Sequence, residues 1–217
     1  QVIHILGLAH SGTTITDRIL ACFPGVIGLG EIEKMWLRVN RQNVDRAPCP
    51  CGQMPSTCPF WSQTVNQTYD TPQAFYAAVV RSAKETGHGW LIDTSKASLS
   101  LNTYTDMVRT GQIEGLTQIR LIRDLADGRV DDAQKQIADS DQEGVRNLFR
   151  RWFVNSILLD ASIGAPATRT LYVWYDKVVI AAQQALLAQN LGLPGREGEI
   201  DLETANQHAA AGNKFVF

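Results

Sequence analysis

The stretch Ile5 to Thr14, ILGLAHSGTT, decides how this chain is read. Its pattern Gly7-x-x-x-x-Gly12-Thr13-Thr14 has the spacing of a phosphate-binding P-loop, but Thr13 stands where the nucleotide-hydrolysing version carries its lysine. A glycine-rich turn opening a helix directs several backbone N–H groups and the positive end of the helix dipole at one point, which suits a phosphate or a sulfate. Thr13 and Thr14 add hydroxyls. A kinase or hydrolase also needs a lysine on the β and γ phosphates and a magnesium ion held by a second carboxylate, and only the hydroxyl half of that equipment is present. Taken alone, the loop also fits an ordinary strand-to-helix glycine turn.

The surroundings are those a P-loop requires. Val2 to Leu8 is apolar and β-prone, and TITDRILACF after the loop carries apolar residues at helical spacing. Further strands are expected at Gly89 to Thr94, Leu116 to Ile122 and Thr170 to Tyr175. Helices are expected at Glu31 to Arg41, Pro72 to Glu85, Leu99 to Thr110, Asp131 to Ala138, Asp141 to Ser162 and Lys177 to Leu191. Strands alternating with helices predict an α/β fold: a P-loop-type, mostly parallel β-sheet flanked by helices on both faces. At 217 residues the chain can bury one core, and 1–217 reads as a single domain with a Cys/Pro-rich surface insertion at about 43–61.

A formal charge of −2, from 20 basic and 22 acidic side chains, offers no general attraction for nucleic acid. No apolar run reaches the roughly 18 to 20 residues of a membrane-spanning helix, so a soluble chain is expected, with a cytoplasmic location favoured. Oligomeric state is not encoded in any pattern found. Cys49, Cys51 and Cys58 cluster in CPCGQMPSTCPFW. Zinc would need a fourth ligand, and no histidine lies nearby in sequence, so no metal site is assigned; a disulfide or a packed thiol cluster accounts for the segment.

Beyond the loop, several pieces follow in order: FPGVIGLGEIEKMW, CPCGQMPSTCPFW, LIDTSK, RLIRD, YVWYDKVV and HAAAGN. Together with GLAHSGTT they resemble the bacterial-type branch of sulfotransferases that use 3′-phosphoadenosine 5′-phosphosulfate (PAPS). That resemblance implies a loop made for the 5′-phosphosulfate. PAPS presents no β,γ-phosphate chain, so neither the usual lysine nor a metal is required. It also implies transfer of a sulfuryl group to the hydroxyl of a small molecule, carbohydrate or peptide.

The residue roles follow from the resemblance. His10, Ser11, Gly12, Thr13 and Thr14 would hold the phosphosulfate, with His10 either protonated or donating a neutral N–H. Glu31 is the candidate base that takes the acceptor proton, with Glu33 two residues on as the alternative. Lys96, at the end of IDTSK with Asp93 and Ser95, would sit near the transferring group. Arg123 would bind the 3′-phosphate through its planar fork. The family's serine eight residues later is replaced here by Asp131, with Ser140 a candidate substitute. Gly212, Asn213 and Lys214 resemble the C-terminal phosphate-binding loop. Tyr172, Trp174 and Tyr175 suit adenine stacking or a core-facing strand, and the strand is the simpler reading. Two rival functions remain on the residues alone: a P-loop nucleotide kinase, disfavoured by Thr13, and a non-catalytic nucleotide-binding module of the same fold.

Overall fold

The structure, a computed structural model, describes residues 1–7, 11–96, 98–122, 150, 154, 169–198, 200, 202 and 208–209. Five parallel strands form one sheet: β1 (Val2–Leu6), β2 (Val26–Gly28), β3 (Trp90–Asp93), β4 (Leu116–Ile122) and β5 (Arg169–Trp174), in the order β2-β3-β1-β4-β5. The helices are α1 (Thr13–Ala21), α2 (Ile32–Asn40), α3 (Ser62–Val65), α4 (Pro72–Glu85), α5 (Ser98–Arg109), α6 (Tyr175–Val178) and α7 (Ala181–Leu191). The expected α/β architecture is therefore present.

Strand alternation explains why both faces are covered. Val2, Leu91 and Leu116 are register partners and belong to a core shared with Met35, Trp36, Phe75, Tyr76 and Tyr104 from α2, α4 and α5. Ile3, Ile5, Ile92 and Ile119 point the other way, into a core with Ile15, Ile19 and Leu20 of α1 and Leu187 and Leu191 of α7. Every residue of β1 is buried, as a central parallel strand requires.

Some boundaries are as expected and others are not. α4 starts at Pro72, whose missing N–H costs nothing in the first turn, and the Thr71 hydroxyl accepts from Ala74 N at 3.2 Å. α7 ends at Gly192 in the left-handed conformation (φ 76°). The expected helix from Lys177 to Leu191 is instead two, because Ile180 is extended between α6 and α7. β2 was not expected: three residues on a sheet edge carry no alternation to read. Tyr172 and Trp174 do not face a core; β5 is the other edge strand and both side chains are exposed. The insertion is more than surface: Cys49, Cys58, Phe60 and Trp61 are buried in the first core. The helices expected at Asp131 to Ala138 and Asp141 to Ser162 lie outside the described residues, save Arg150 and Val154. Among the described residues, no helix is long and apolar enough to cross a membrane.

The face under α4 and α5 changes character along the strands. Near its C-terminal end the buried side chains are polar: His4 opposite Asp93 in register, with Gln118 and Arg120 on the same side of β4. Asp93 carries the junction. Its Oδ1 accepts from Ser95 N (2.7 Å) and Ile32 N (3.3 Å), and its Oδ2 accepts from the Tyr104 hydroxyl (3.0 Å). Burial pushes its pKa up, while His4, the Ser95 side chain and amide, and Tyr104 pull it down. His4 Nε2 donates to the Ser95 carbonyl at 2.7 Å, and burial holds this histidine below its ordinary range, against the pull of Asp93.

Replacing Tyr104 with phenylalanine leaves Asp93 Oδ2 buried without that donor. Urea unfolding should report a loss of about 1 to 3 kcal/mol at unchanged m-value. A loss below about 0.5 kcal/mol would mean that water or another group satisfies the carboxylate.

Candidate functional site

The chain leaves β1 toward β2 at one edge and β4 toward β5 at the other, so the topological switch point, where open α/β sheets bind their ligands, falls at the C-terminal ends of β1 and β4. Gly7 follows β1 directly, and Gly12 is the N-cap of α1. Both glycines are required by shape. A Cβ on Gly7 would run into the Ser11 hydroxyl and the Thr13 methyl; one on Gly12 would run into the Tyr175 ring, and Gly12 also has φ 91°.

This turn leaves polar groups without partners at the helix start. α1 has no side-chain cap and no acidic residue in its first turn, so its leading N–H groups are not taken up by a cap. Ser11 is only 6% exposed, and its Oγ has no hydrogen-bond partner among the described residues. A buried hydroxyl beside uncapped N–H groups and the positive helix end makes a candidate anion cradle. Thr13 is buried and Thr14 half-buried at the same end, while the Thr16 hydroxyl is committed to the Gly12 carbonyl at 3.0 Å. His10 lies outside the described residues.

Two hydrogen-bonded seams carry Glu31 toward this cradle. Asp17, in the second turn of α1, accepts from Gly30 N at 3.2 Å through Oδ2. On the other side the β2–α2 turn is fixed to the end of β3: Thr94 N donates to the Gly30 carbonyl (2.8 Å), Ile32 N to Asp93, and Glu33 N to the Ser95 hydroxyl (2.9 Å). Gly30 takes the positive φ of 64° that this tight turn needs. Glu31 then stands at the N-cap of α2, its side chain 16% exposed, ion-paired with Lys34 and 3.8 Å from Lys96 Nζ. Burial lowers the pKa of Lys96, Glu31 opposes that shift, and Lys34 adds to it.

The structure thus brings Glu31 and Lys96 together, while the Glu33 amide donates to the Ser95 hydroxyl. Arg123, which follows the last residue of β4, lies outside the described residues, as do Gly212, Asn213, Lys214, Asp131 and Ser140. Asp17 was not anticipated, and Tyr175, read as part of an adenine-stacking or core-facing strand, instead begins α6 with its ring against Gly12. A lone aspartate on the apolar side of TITDRILACF was the available signal for Asp17. The three clustered cysteines are also different in space. His208 Nδ1 lies 3.3 Å from Cys58 Sγ and 3.8 Å from Cys49 Sγ, so the missing nearby histidine comes from far along the chain.

No known family model matches this chain, and no curated protein does. Among solved structures it is similar to the sulfotransferase domain from the curacin biosynthetic pathway. The two share 16% identity over 96% of this chain and 81% of that one, with a TM-score of 0.53. At that identity the likeness establishes a sulfotransferase-type fold.

The orphan hydroxyl makes the cradle testable. Ser11→Ala removes an unsatisfied group, so the ligand-free protein should keep its stability or gain up to about 1 kcal/mol, while the thermal stabilisation given by inorganic sulfate shrinks. A destabilised ligand-free variant with unchanged sulfate response would assign the hydroxyl to the fold instead.

Proposed function

We propose that the protein is a sulfotransferase that moves a sulfuryl group from PAPS to a hydroxyl acceptor by in-line transfer. One observation carries the reading: a lysine-free anion cradle at the start of α1, joined through the Asp17–Gly30 bond to a turn that presents a paired Glu31 and Lys96. A triphosphate would leave its β,γ end without the customary lysine at position 13, whereas a single phosphosulfate matches N–H and hydroxyl donors alone. The sulfotransferase-type fold agrees with it.

In this reading the loop residues His10 to Thr14 hold the 5′-phosphosulfate, Arg123 takes the 3′-phosphate, and Gly212 to Lys214 serve as the C-terminal phosphate-binding loop. The acceptor oxygen attacks sulfur, its proton passes to a Glu31 carboxylate oxygen, and the bond from sulfur to the bridging oxygen breaks. The electron pair stays on the phosphate of the departing 3′,5′-adenosine bisphosphate. Negative charge growing on that bridging oxygen is met by the helix N-terminus and the loop donors, which is where electrostatic stabilisation acts most strongly. Lys96, 3.8 Å from Glu31, would turn toward the sulfuryl oxygens and screen their charge as the acceptor attacks.

The test is turnover of radiolabelled PAPS against a panel of hydroxyl acceptors. Glu31→Gln keeps shape and removes basicity, so transfer should fall by about 10² to 10⁴ with little change in donor affinity, whereas Glu33→Gln should remain active. If Glu33→Gln abolishes transfer and Glu31→Gln does not, the base lies two residues on. If neither variant matters, proton removal belongs elsewhere. Binding of donor with no labelled acceptor from any class would contradict catalysis.

A further inference from the structure

A second arrangement of reactive side chains joins three cysteines of the insertion to a distant histidine. Cys49, Cys51, Cys58 and His208 each offer one ligand atom, and all four atoms lie within 4.8 Å of one another. The close separations are 3.6 Å for Cys51 Sγ to Cys58 Sγ, 3.7 Å for Cys58 Sγ to Cys49 Sγ, and 3.3 and 3.8 Å from His208 Nδ1 to Cys58 and Cys49 Sγ. A tetrahedral zinc with bonds of about 2.3 Å to sulfur and 2.0 to 2.1 Å to nitrogen sets its ligand atoms about 3.7 Å apart for sulfur pairs and about 3.5 Å for sulfur and nitrogen. A disulfide needs sulfurs about 2.0 Å apart, and none of the four cysteines is in a disulfide.

The surrounding residues fix each ligand. Cys49 and Cys51 sit in a tight turn in which Gly52 N donates to the Cys49 carbonyl (2.9 Å) and Cys49 N donates to the Gln53 carbonyl (2.8 Å); Gly52 has φ 87°. Cys58 is fully buried, next to Phe60 and Trp61. His208 comes from a distant part of the chain, yet it is held twice: the Trp61 indole N–H donates to its carbonyl at 2.6 Å, and its ring stacks on Phe60 with centroids 5.6 Å apart and planes at 23°. Trp61 and Phe60 thus orient the imidazole, with Nδ1 turned to the thiols.

From this geometry we infer that Cys49, Cys51, Cys58 and His208 form a structural zinc site that fastens the segment around His208 to the insertion. Three thiolates and one imidazole select zinc over oxygen-seeking cations, and four protein ligands leave no open position for substrate, so the role is structural. Binding forms three Zn–S bonds and one Zn–N bond, releases three thiol protons to solvent and changes no oxidation state. Drawing the widest pair together requires a movement of about 1 Å.

The inference does not depend on the proposed sulfuryl transfer. The full chain, purified under reducing conditions without chelator, should contain one zinc per molecule by elemental analysis. Replacement by cobalt should give the visible bands of tetrahedral geometry with near-ultraviolet thiolate charge transfer. Stripping the metal with a strong chelator should lower the unfolding midpoint by about 10 °C or more. Cys51→Ser and His208→Ala alter half-buried ligands, and each should weaken zinc at least about 100-fold in a chelator competition while keeping a folded far-ultraviolet spectrum. If either variant fails to fold, the wild-type cobalt spectrum decides. Substoichiometric metal with no tetrahedral cobalt spectrum, or His208→Ala retaining wild-type affinity, would overturn the site.

Discussion

The constraint on which the rest depends is the buried carboxylate of Asp93. A charge or polar group taken this far from water must find partners, and Asp93 finds them in three different elements: its own strand end, the first turn of α2 and the middle of α5. Those bonds are what give the β2–α2 turn a fixed place. Because Ile32 and Glu33 are pinned by their amides to Asp93 and Ser95, the side chain between Gly30 and Ile32 has little freedom in where it emerges, and Glu31 meets Lys96. The apolar half of the same sheet face supplies the cohesion; the polar half supplies the positions.

The loop after β1 works by the opposite device. There the helix start is left uncapped and a buried serine hydroxyl is left unpaired, arrangements that cost stability unless something binds. Gly7 and Gly12 are the covalent condition for this, since any side chain at either position would collide with Ser11 or Tyr175. Asp17 joins the two regions by accepting from Gly30, so the unsatisfied loop and the over-satisfied turn form one framework.

How much of this could be read from the chain depends on the range of the interaction that decides it. β4 and α4 have the expected ends, Leu116–Ile122 and Pro72–Glu85, because an apolar β-branched run and a Thr-Pro start are local signals. β2 escaped because three residues on an edge leave no period, and the break at Ile180 escaped because the apolar residues around it suit either a helix or a turn. The resemblance gave Glu31 and Lys96 separate roles, while their pairing and the reason for it, Asp93 and Ser95 accepting from backbone amides, have no sequence signature. The fourth ligand of the thiol cluster was invisible for a plainer reason: His208 is 150 residues from Cys58, and only the Trp61 and Phe60 contacts bring it back.

The central claim is that the anion cradle takes the phosphosulfate end of a PAPS-type donor and is not built for a triphosphate. Titration calorimetry of the unliganded protein with 3′,5′-adenosine bisphosphate and with ATP, each with and without added magnesium, tests it most directly. The account predicts bisphosphate binding at least about tenfold tighter than ATP, a difference of about 1.4 kcal/mol, with no dependence on magnesium. Tighter binding of ATP that requires magnesium would contradict it.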